Sequence, residues 1–239
     1  VCGRYDISET QVKIVLHFGL DRCPEFAPGN PARPTERLVV VRRAPDAKNE
    51  GVLLRWGLVP AFAKDLSYGT KFAINARAET IDMRVSFREA FRARRCLVPA
   101  RAYYEGSSRT GRRQVFRVAL KNGDLMGMAG LWESWKGLGG ETVETYTVIT
   151  TSANALVAQY TDKADKRMPV ILHPKDYDFW LDPSNRDFPA LKALLRPFPA
   201  EEMIVTPALG ILADRRLNCL SRAAPSSAIC RPDRLRARS

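Results

Sequence analysis

Cys2 is the residue with the most chemistry to offer. If residue 1 is removed, Cys2 carries an α-amine and a thiol on adjacent carbons. An unperturbed α-amine has a pKa of ~7.7–8.0, so a useful fraction is neutral near pH 7. Such a 1,2-aminothiol reacts with aldehydes in two steps. The amine forms a Schiff base, and the thiol then closes onto it as a thiazolidine ring. Val1 is an unusual first residue and fits a GUG start codon written literally. The cell would then insert Met, and Met before a small residue such as Cys is commonly excised. The plainer reading of Cys2 is an ordinary buried thiol near a terminus.

The other reactive side chains narrow the options. The five cysteines, Cys2, Cys23, Cys96, Cys219 and Cys230, are odd in number and form no Cys-x-x-Cys. That argues against a disulfide framework and for a reducing compartment. His17 and His173 are the two histidines, and neither neighbours a cysteine, so no metal site is expected. No Gly-x-Gly-x-x-Gly or Walker-type loop occurs, so no nucleotide cofactor is expected either.

These residues sit in a 239-residue chain that is 45% hydrophobic and 27% charged. Such values fit a globular protein rather than a disordered one. No apolar run approaches the ~18 residues of a spanning helix, and the N-terminus has no signal-peptide pattern. A soluble, cytoplasmic, monomeric protein is expected. The charge is +12, and 28 of the 38 basic residues are Arg. Arg forks onto phosphate and stacks on bases, which favours a nucleic-acid partner. An Arg-rich codon bias would produce the same count. Residues 213–239 hold seven Arg and two Asp, so +5 of the charge is in the tail.

Elements follow from periodicity. Ser8, with Gln11 three residues on, reads as a capping box for a helix over 9–18, with Val12, Val15, Leu16 and Leu20 as its apolar stripe. Residues 23–36, with four prolines, read as a loop. Strands are expected at 38–41, 52–56, 72–76, 96–99, 102–105, 114–120, 125–132, 145–150, 169–172 and 203–205. Lys121-Asn122-Gly123-Asp124 predicts a hairpin between two of them. Helices are expected over 86–94, 154–160, 174–181 and 188–195. Strands come in runs without βαβ alternation, so the fold class is α+β with a mostly antiparallel, strongly curved sheet.

Eight short motifs then occur in order. They are Cys2-Gly3-Arg4-Tyr5, Trp56-Gly57-Leu58-Val59-Pro60, Asn75-Ala76-Arg77-Ala78-Glu79-Thr80 and Cys96-Leu97-Val98-Pro99-Ala100. Tyr103-Tyr104-Glu105, Ala129-Gly130-Leu131-Trp132-Glu133, Thr150-Thr151-Ser152-Ala153-Asn154 and Arg167-Met168-Pro169 follow. This series resembles the SOS-response-associated peptidase family, whose members process abasic sites in single-stranded DNA. The resemblance spans roughly residues 2–207. It implies a bifurcated, partly barrel-like sheet with flanking helices. It also implies loss of the initiator residue and a thiazolidine crosslink between Cys2 and the ring-opened sugar, which shields the lesion.

By the same resemblance Asn75 orients the amine and the sugar, as an amide that can accept and donate. Glu105 is the acid/base for sugar ring opening. Arg4, Arg77 and Arg167 contact phosphates. Trp56 stacks on a base or wedges where strands diverge. The residues alone also allow Asn75 as a turn residue, Trp56 as core packing and the arginines as a solvated face.

Two departures matter. Asp165 stands where the family usually has histidine, and an ordinary Asp at pH 7 only accepts protons. Gly106 stands where the family usually has Trp, which removes packing behind Glu105. The expected domain is 1–212, followed by a basic tail, 213–239, of disordered or aberrant composition. The expected function is DNA–protein crosslinking at abasic sites. The alternatives are an N-terminal-nucleophile peptidase using Cys2 and Glu105, or a noncatalytic single-strand binder in which Asp165 marks impaired chemistry.

Overall fold

The computed structural model describes residues 3–27, 29–107, 114–162 and 164–208. Val1, Cys2 and the tail 213–239 lie outside the described residues. In chain order the elements are β1 (Tyr5–Ile7), α1 (Gln11–Phe18), β2 (Gly29–Ala32), β3 (Arg37–Arg43), β4 (Asn49–Trp56), α2 (Ser67–Phe72), β5 (Asn75–Arg77), α3 (Arg88–Ala93) and β6 (Arg95–Ala100). They continue with β7 (Ala102–Ser107), β8 (Gln114–Leu120), β9 (Met126–Lys136), β10 (Thr142–Ser152), β11 (Arg167–Pro169), β12 (Ile171–Leu172), α4 (Tyr177–Leu181), α5 (Phe188–Ala193) and β13 (Met203–Pro207).

Two sheets form. In the larger, β10–β4–β3–β6–β9 closes back onto β10, a five-strand barrel. β5 and β11 add to β10, and β12 adds to β9. The smaller sheet runs β13-β8-β7-β1-β2. The α+β, bifurcated and partly barrel-like sheet is therefore present, with short helices around it. Among the described residues the ladders are antiparallel except β10–β4 and β10–β5. Every residue of β6 is buried, because one face fills the barrel and the other lies under α4. Such a strand reads as a continuous apolar run rather than an alternation.

The sequence-based expectations differ from the structure in several places. Thr10, not Ser8, caps α1 by accepting from the Lys13 amide at 3.3 Å. Ser8 instead bonds the Asp6 carboxylate through its amide and its hydroxyl. The buried side of α1 is Ile14 and Phe18, while Val12 is 64% and Leu16 76% exposed. Leu20 is buried and Val15 packs against the core, but the sheet covers the side of Ile14 and Phe18 rather than that of Val12 and Leu16. Gly123 does adopt a left-handed φ of 78°, but β8 and β9 belong to different sheets. The turn therefore hands the chain from one sheet to the other and makes no hairpin. Finally, residues 29–32 pair with β1 despite their proline. That strand is at the sheet edge, where a missing N–H is tolerated.

β10 is the spine. Its Thr145 and Tyr146 pair with Arg55 and Trp56 of β4. Three residues on, the same edge pairs with Asn75–Arg77 of β5. Its other edge pairs with β9 as far as Gly130, then with β11 from Thr150. Gly57, at φ 116°, turns the chain out of β4, and residues 58–74 form an excursion that returns at Asn75. α2 in that excursion sits against Gly57. A Cβ on Gly69 would lie 2.1 Å from the Gly57 carbonyl oxygen. Neither side of this contact is a flexible side chain. Gly69→Ala is expected to destabilise the protein by about 1–3 kcal/mol, the usual range for overpacking. Urea denaturation measures this, and an unchanged midpoint would show that the backbones separate at no cost.

Candidate functional site

Where β10 changes partners, three fully buried aromatic rings meet. Trp56 closes β4, Tyr146 lies beside it on β10, and Tyr5 comes from β1. The Trp56 ring is 5.1 Å from Tyr5 and 6.2 Å from Tyr146, centroid to centroid. The hydroxyls of Tyr5 and Tyr146 are hydrogen-bonded at 2.8 Å. The Trp56 indole N–H donates to the Ile74 carbonyl at 2.9 Å, which fixes the residue before Asn75. Asn75, half-buried, then pairs in register with Val148.

Glu105 reaches the same region from the other sheet. Tyr5 pairs with Tyr103 across β1 and β7, and the Tyr104 amide donates to the Arg4 carbonyl at 3.1 Å. The period of two along a strand places Glu105 on the same face as Tyr103. Its side chain is 3% exposed. Asn75 follows the residue that Trp56 bonds, and Glu105 lies two residues along β7 from Tyr103, the cross-strand partner of Tyr5. The chain leading to Cys2 is fixed at Arg4 on the strand that carries Glu105. Cys2 itself lies outside the described residues. The thiols of Cys23 and Cys96 are free within the described residues, and burial pushes Cys23 up and the fully buried Cys96 well up from the ordinary value. Neither is poised as a thiolate nucleophile.

The expected phosphate contacts divide into different environments. Arg167 is 4% exposed. It holds both oxygens of Glu79, at 3.0 and 2.8 Å, and the carbonyl and hydroxyl of Thr150, at 2.6 and 3.2 Å. Thr150 is the residue at which β5, β10 and β11 meet. Arg167 is therefore an internal tie between strands, and its forked donors are already occupied. Arg77 is 58% exposed and donates to Asp165. Asp165, 50% exposed, also lies 3.8 Å from Arg167. Arg4 is half-buried beside β7. Trp56 presents no face to solvent, so it acts here as a wedge within the sheet junction and not as a platform for a base.

An aromatic platform does exist, on residues that the sequence reading passed over. Phe62 is 55% and Phe72 68% exposed. Tyr68 bridges them, with ring centroids 5.5 and 5.2 Å away. Lys64 and Lys71 flank these rings around a depression of about 310 Å³. Residue 72, expected to open a strand, ends α2 instead. The available signal was the interleaving of aromatic and lysine residues between Pro60 and Asn75, a pattern suited to single strands.

Burial pushes the Glu79 carboxyl up, but hydrogen bonds from Arg167 outweigh that and hold it below the usual glutamate range. The depressed folded pKa means that this stabilisation is present above the ordinary value near 4.5 and is lost as pH falls through the folded value. Glu79→Gln should lower stability at pH 7 by about 1–3 kcal/mol, the range for a charged hydrogen bond removed from a buried partner. The gap from wild type should narrow below pH 4.5 in thermal melts. A gap that does not change with pH would mean that Glu79 acts by packing alone.

The comparisons with known proteins are consistent along the chain. Residues 1–209 match the model of the SOS response associated peptidase family. The chain is 35% identical over 208 residues to "Abasic site processing protein YoqW" of Bacillus subtilis, covering 85% of this chain and 90% of that protein. It is 27% identical over 190 residues to "Abasic site processing protein HMCES" of Xenopus tropicalis, covering 69% and 54%. A crystal structure from Bacteroides thetaiotaomicron superposes with a TM-score of 0.78 at 26% identity, covering 89% of this chain and 94% of that one. One from Bordetella bronchiseptica gives 0.76 at 27% identity, covering 87% and 99%.

Proposed function

The chain belongs to the SOS response associated peptidase family, and on that premise we propose that it binds single-stranded DNA and captures abasic sites through Cys2. The observation that supports this reading is that the N-terminal strand is bonded at Arg4 to the strand bearing the buried Glu105, while Trp56, packed on Tyr5, bonds the residue before Asn75. Removal of residue 1 exposes the Cys2 amine. Glu105 moves the proton that opens the abasic sugar to its aldehyde. The amine adds to the aldehyde carbon, and water leaves as the imine forms. The thiol sulfur then attacks that carbon while the nitrogen takes up a proton, which closes the thiazolidine. Asn75 holds the amine and a sugar oxygen with the two ends of its amide. Asp165 accepts a hydrogen bond from Arg77, and no step of this sequence is assigned to it.

The strand itself is held by Arg77 and Arg4 at phosphates and by the Phe62, Tyr68 and Phe72 platform with Lys64 and Lys71. The platform takes the stacking role that the buried Trp56 does not fill. Base–aromatic stacking is worth ~1–3 kcal/mol per base, so Phe72→Ala should weaken binding of undamaged single strands about 5- to 100-fold. Fluorescence anisotropy measures this, and an affinity within twofold of wild type would remove the platform from the binding surface.

The chemical step is tested with abasic and intact oligonucleotides on denaturing gels, combined with intact mass. A heat-stable adduct should form with abasic DNA alone, on protein that lacks residue 1. Cys2→Ala should abolish it. Glu105→Gln should slow it by ~10²–10⁴-fold, the usual contribution of a general acid or base. An adduct on protein that keeps residue 1 would overturn the aminothiol mechanism. Cleavage of protein without an adduct would favour the peptidase reading.

A further inference from the structure

The four charges beyond Asn75 do not form a basic clamp. Two guanidiniums, Arg77 and Arg167, stand with two carboxylates, Glu79 and Asp165. Arg167 and Glu79 are committed to each other by a forked pair, and Thr150 takes two further donors. That leaves Asp165 with Arg77, and both side chains are at least half exposed. An exposed pair of this kind contributes little to stability, so the fold does not depend on it.

Its position gives it another consequence. Asn75 and Arg77 lie two residues apart on β5 with buried Ala76 between them, so they point to the same side, about 6.6 Å apart along the strand. A strand whose sugar sits at Asn75 brings its neighbouring phosphate towards Arg77. The guanidinium fork that would receive this phosphate already holds a carboxylate, which is an anion of similar reach. Phosphate and Asp165 must therefore exchange places.

We infer that Asp165 is a built-in competitor for the DNA backbone at Arg77, which weakens reversible binding to any single strand. This rests on the reading of the site as a single-strand binder. Intact and abasic strands meet the same competition, but only an abasic strand is then trapped by a covalent bond. A low reversible affinity lets intact strands leave, and so shifts occupancy towards the lesion.

The test is equilibrium binding of an intact oligothymidylate to the full chain across a salt series. Asp165→Asn keeps the shape and removes the charge. It should tighten binding about fivefold at low salt, the scale of one exposed ion pair. It should also steepen the log–log salt slope by about 0.7, the value for one added phosphate contact on single strands. Arg77→Ala should weaken binding in the wild-type background and should erase the gain in the Asp165→Asn background. Asp46→Asn, which frees Arg22 from a different exposed pair, measures the effect of removing any one negative charge and should leave the slope alone. An unchanged slope in Asp165→Asn, or a gain that survives Arg77→Ala, overturns the competitor role while leaving single-strand binding intact. Failure of every variant and of wild type to bind overturns the single-strand reading itself, and the inference with it. Thermal melts of each variant separate unfolding from lost contact, and a merely structural role for Asp165 would not move the salt slope.

Discussion

A strand has two edges, and β10 serves four partners with them. β4 and then β5 occupy one edge, while β9 and then β11 occupy the other. Each edge must change partner within a few residues, so the sheet divides between Tyr146 and Thr150. A divided sheet leaves backbone groups that need new partners, because buried N–H and C=O groups do not stay unpaired. Several bonds at the junction answer this need. The Gly57 amide donates to the Tyr146 carbonyl, the Trp56 indole donates to the Ile74 carbonyl, and Arg167 spans Glu79 and Thr150. The residues assigned to chemistry or DNA contact in the larger sheet, Asn75 and Arg77, occur on the strand that enters at this division.

The same junction changes the meaning of the chain's positive charge. A net +12 suggests an open basic surface, yet many of the arginines are internal ties. Arg42 joins Glu50 to Glu144 with its guanidinium over the Trp132 ring, and Arg22 joins Glu50 to Asp46. Arg95 is buried without a carboxylate. It donates to the carbonyls of Phe91, Arg92, Trp180 and Asp182, and burial pulls it down to about 10. A fork of five donors suits such work, since it can satisfy several carbonyls at once. Arginine count is therefore a poor guide to DNA-binding surface in this chain. Lys64 and Lys71, by contrast, flank aromatic rings that the fold leaves uncovered.

Much of the strand order was legible because barrel strands buried on both faces, such as residues 95–100, leave unbroken apolar runs. Asn75 and Glu105 were legible only through their motifs, since neither residue type at that spacing specifies chemistry. What local pattern does not hold is which strands pair. Asn122-Gly123 has the right chemistry for a tight turn, and the turn forms, but the competing partners β7 and β6 take the flanking strands into separate sheets. The α1 stripe was misplaced because a short helix has several apolar residues on two sides, and burial against the sheet selects Ile14 and Phe18. Arg167 and Asp165 look alike in sequence as exposed charges near a motif. One is buried and the other is not, because the register of β11 against Thr150–Ser152 turns Arg167 inward.

The pairing of β1 with β7 has a consequence for any chemistry at Cys2. Two residues span at most about 7 Å of chain, so Cys2 lies within that distance of Arg4 whatever its conformation. Arg4 is hydrogen-bonded to Tyr104, next to Glu105. A nucleophile on a free terminus would sample a large volume, and its encounter with a carboxyl would carry an entropic cost. Here the short leash begins at a bond to the strand that bears the carboxyl. Holding reacting groups in this way accounts for a large part of the rate in well-oriented systems. The small sheet's register, with Tyr5, Ile7, Tyr103, Val118 and Met203 buried along it, is then the element on which the proposed chemistry at the N-terminus depends. A slip of β1 by one residue would turn Tyr5 away from Tyr146 and Trp56. It would also move the attachment point of Cys2 relative to Glu105 by about 3.3 Å, enough to separate a hydrogen-bonded pair. Tyr5 therefore couples the aromatic junction to the N-terminal strand: its hydroxyl bond to Tyr146 and its pairing with Tyr103 hold the register of β1.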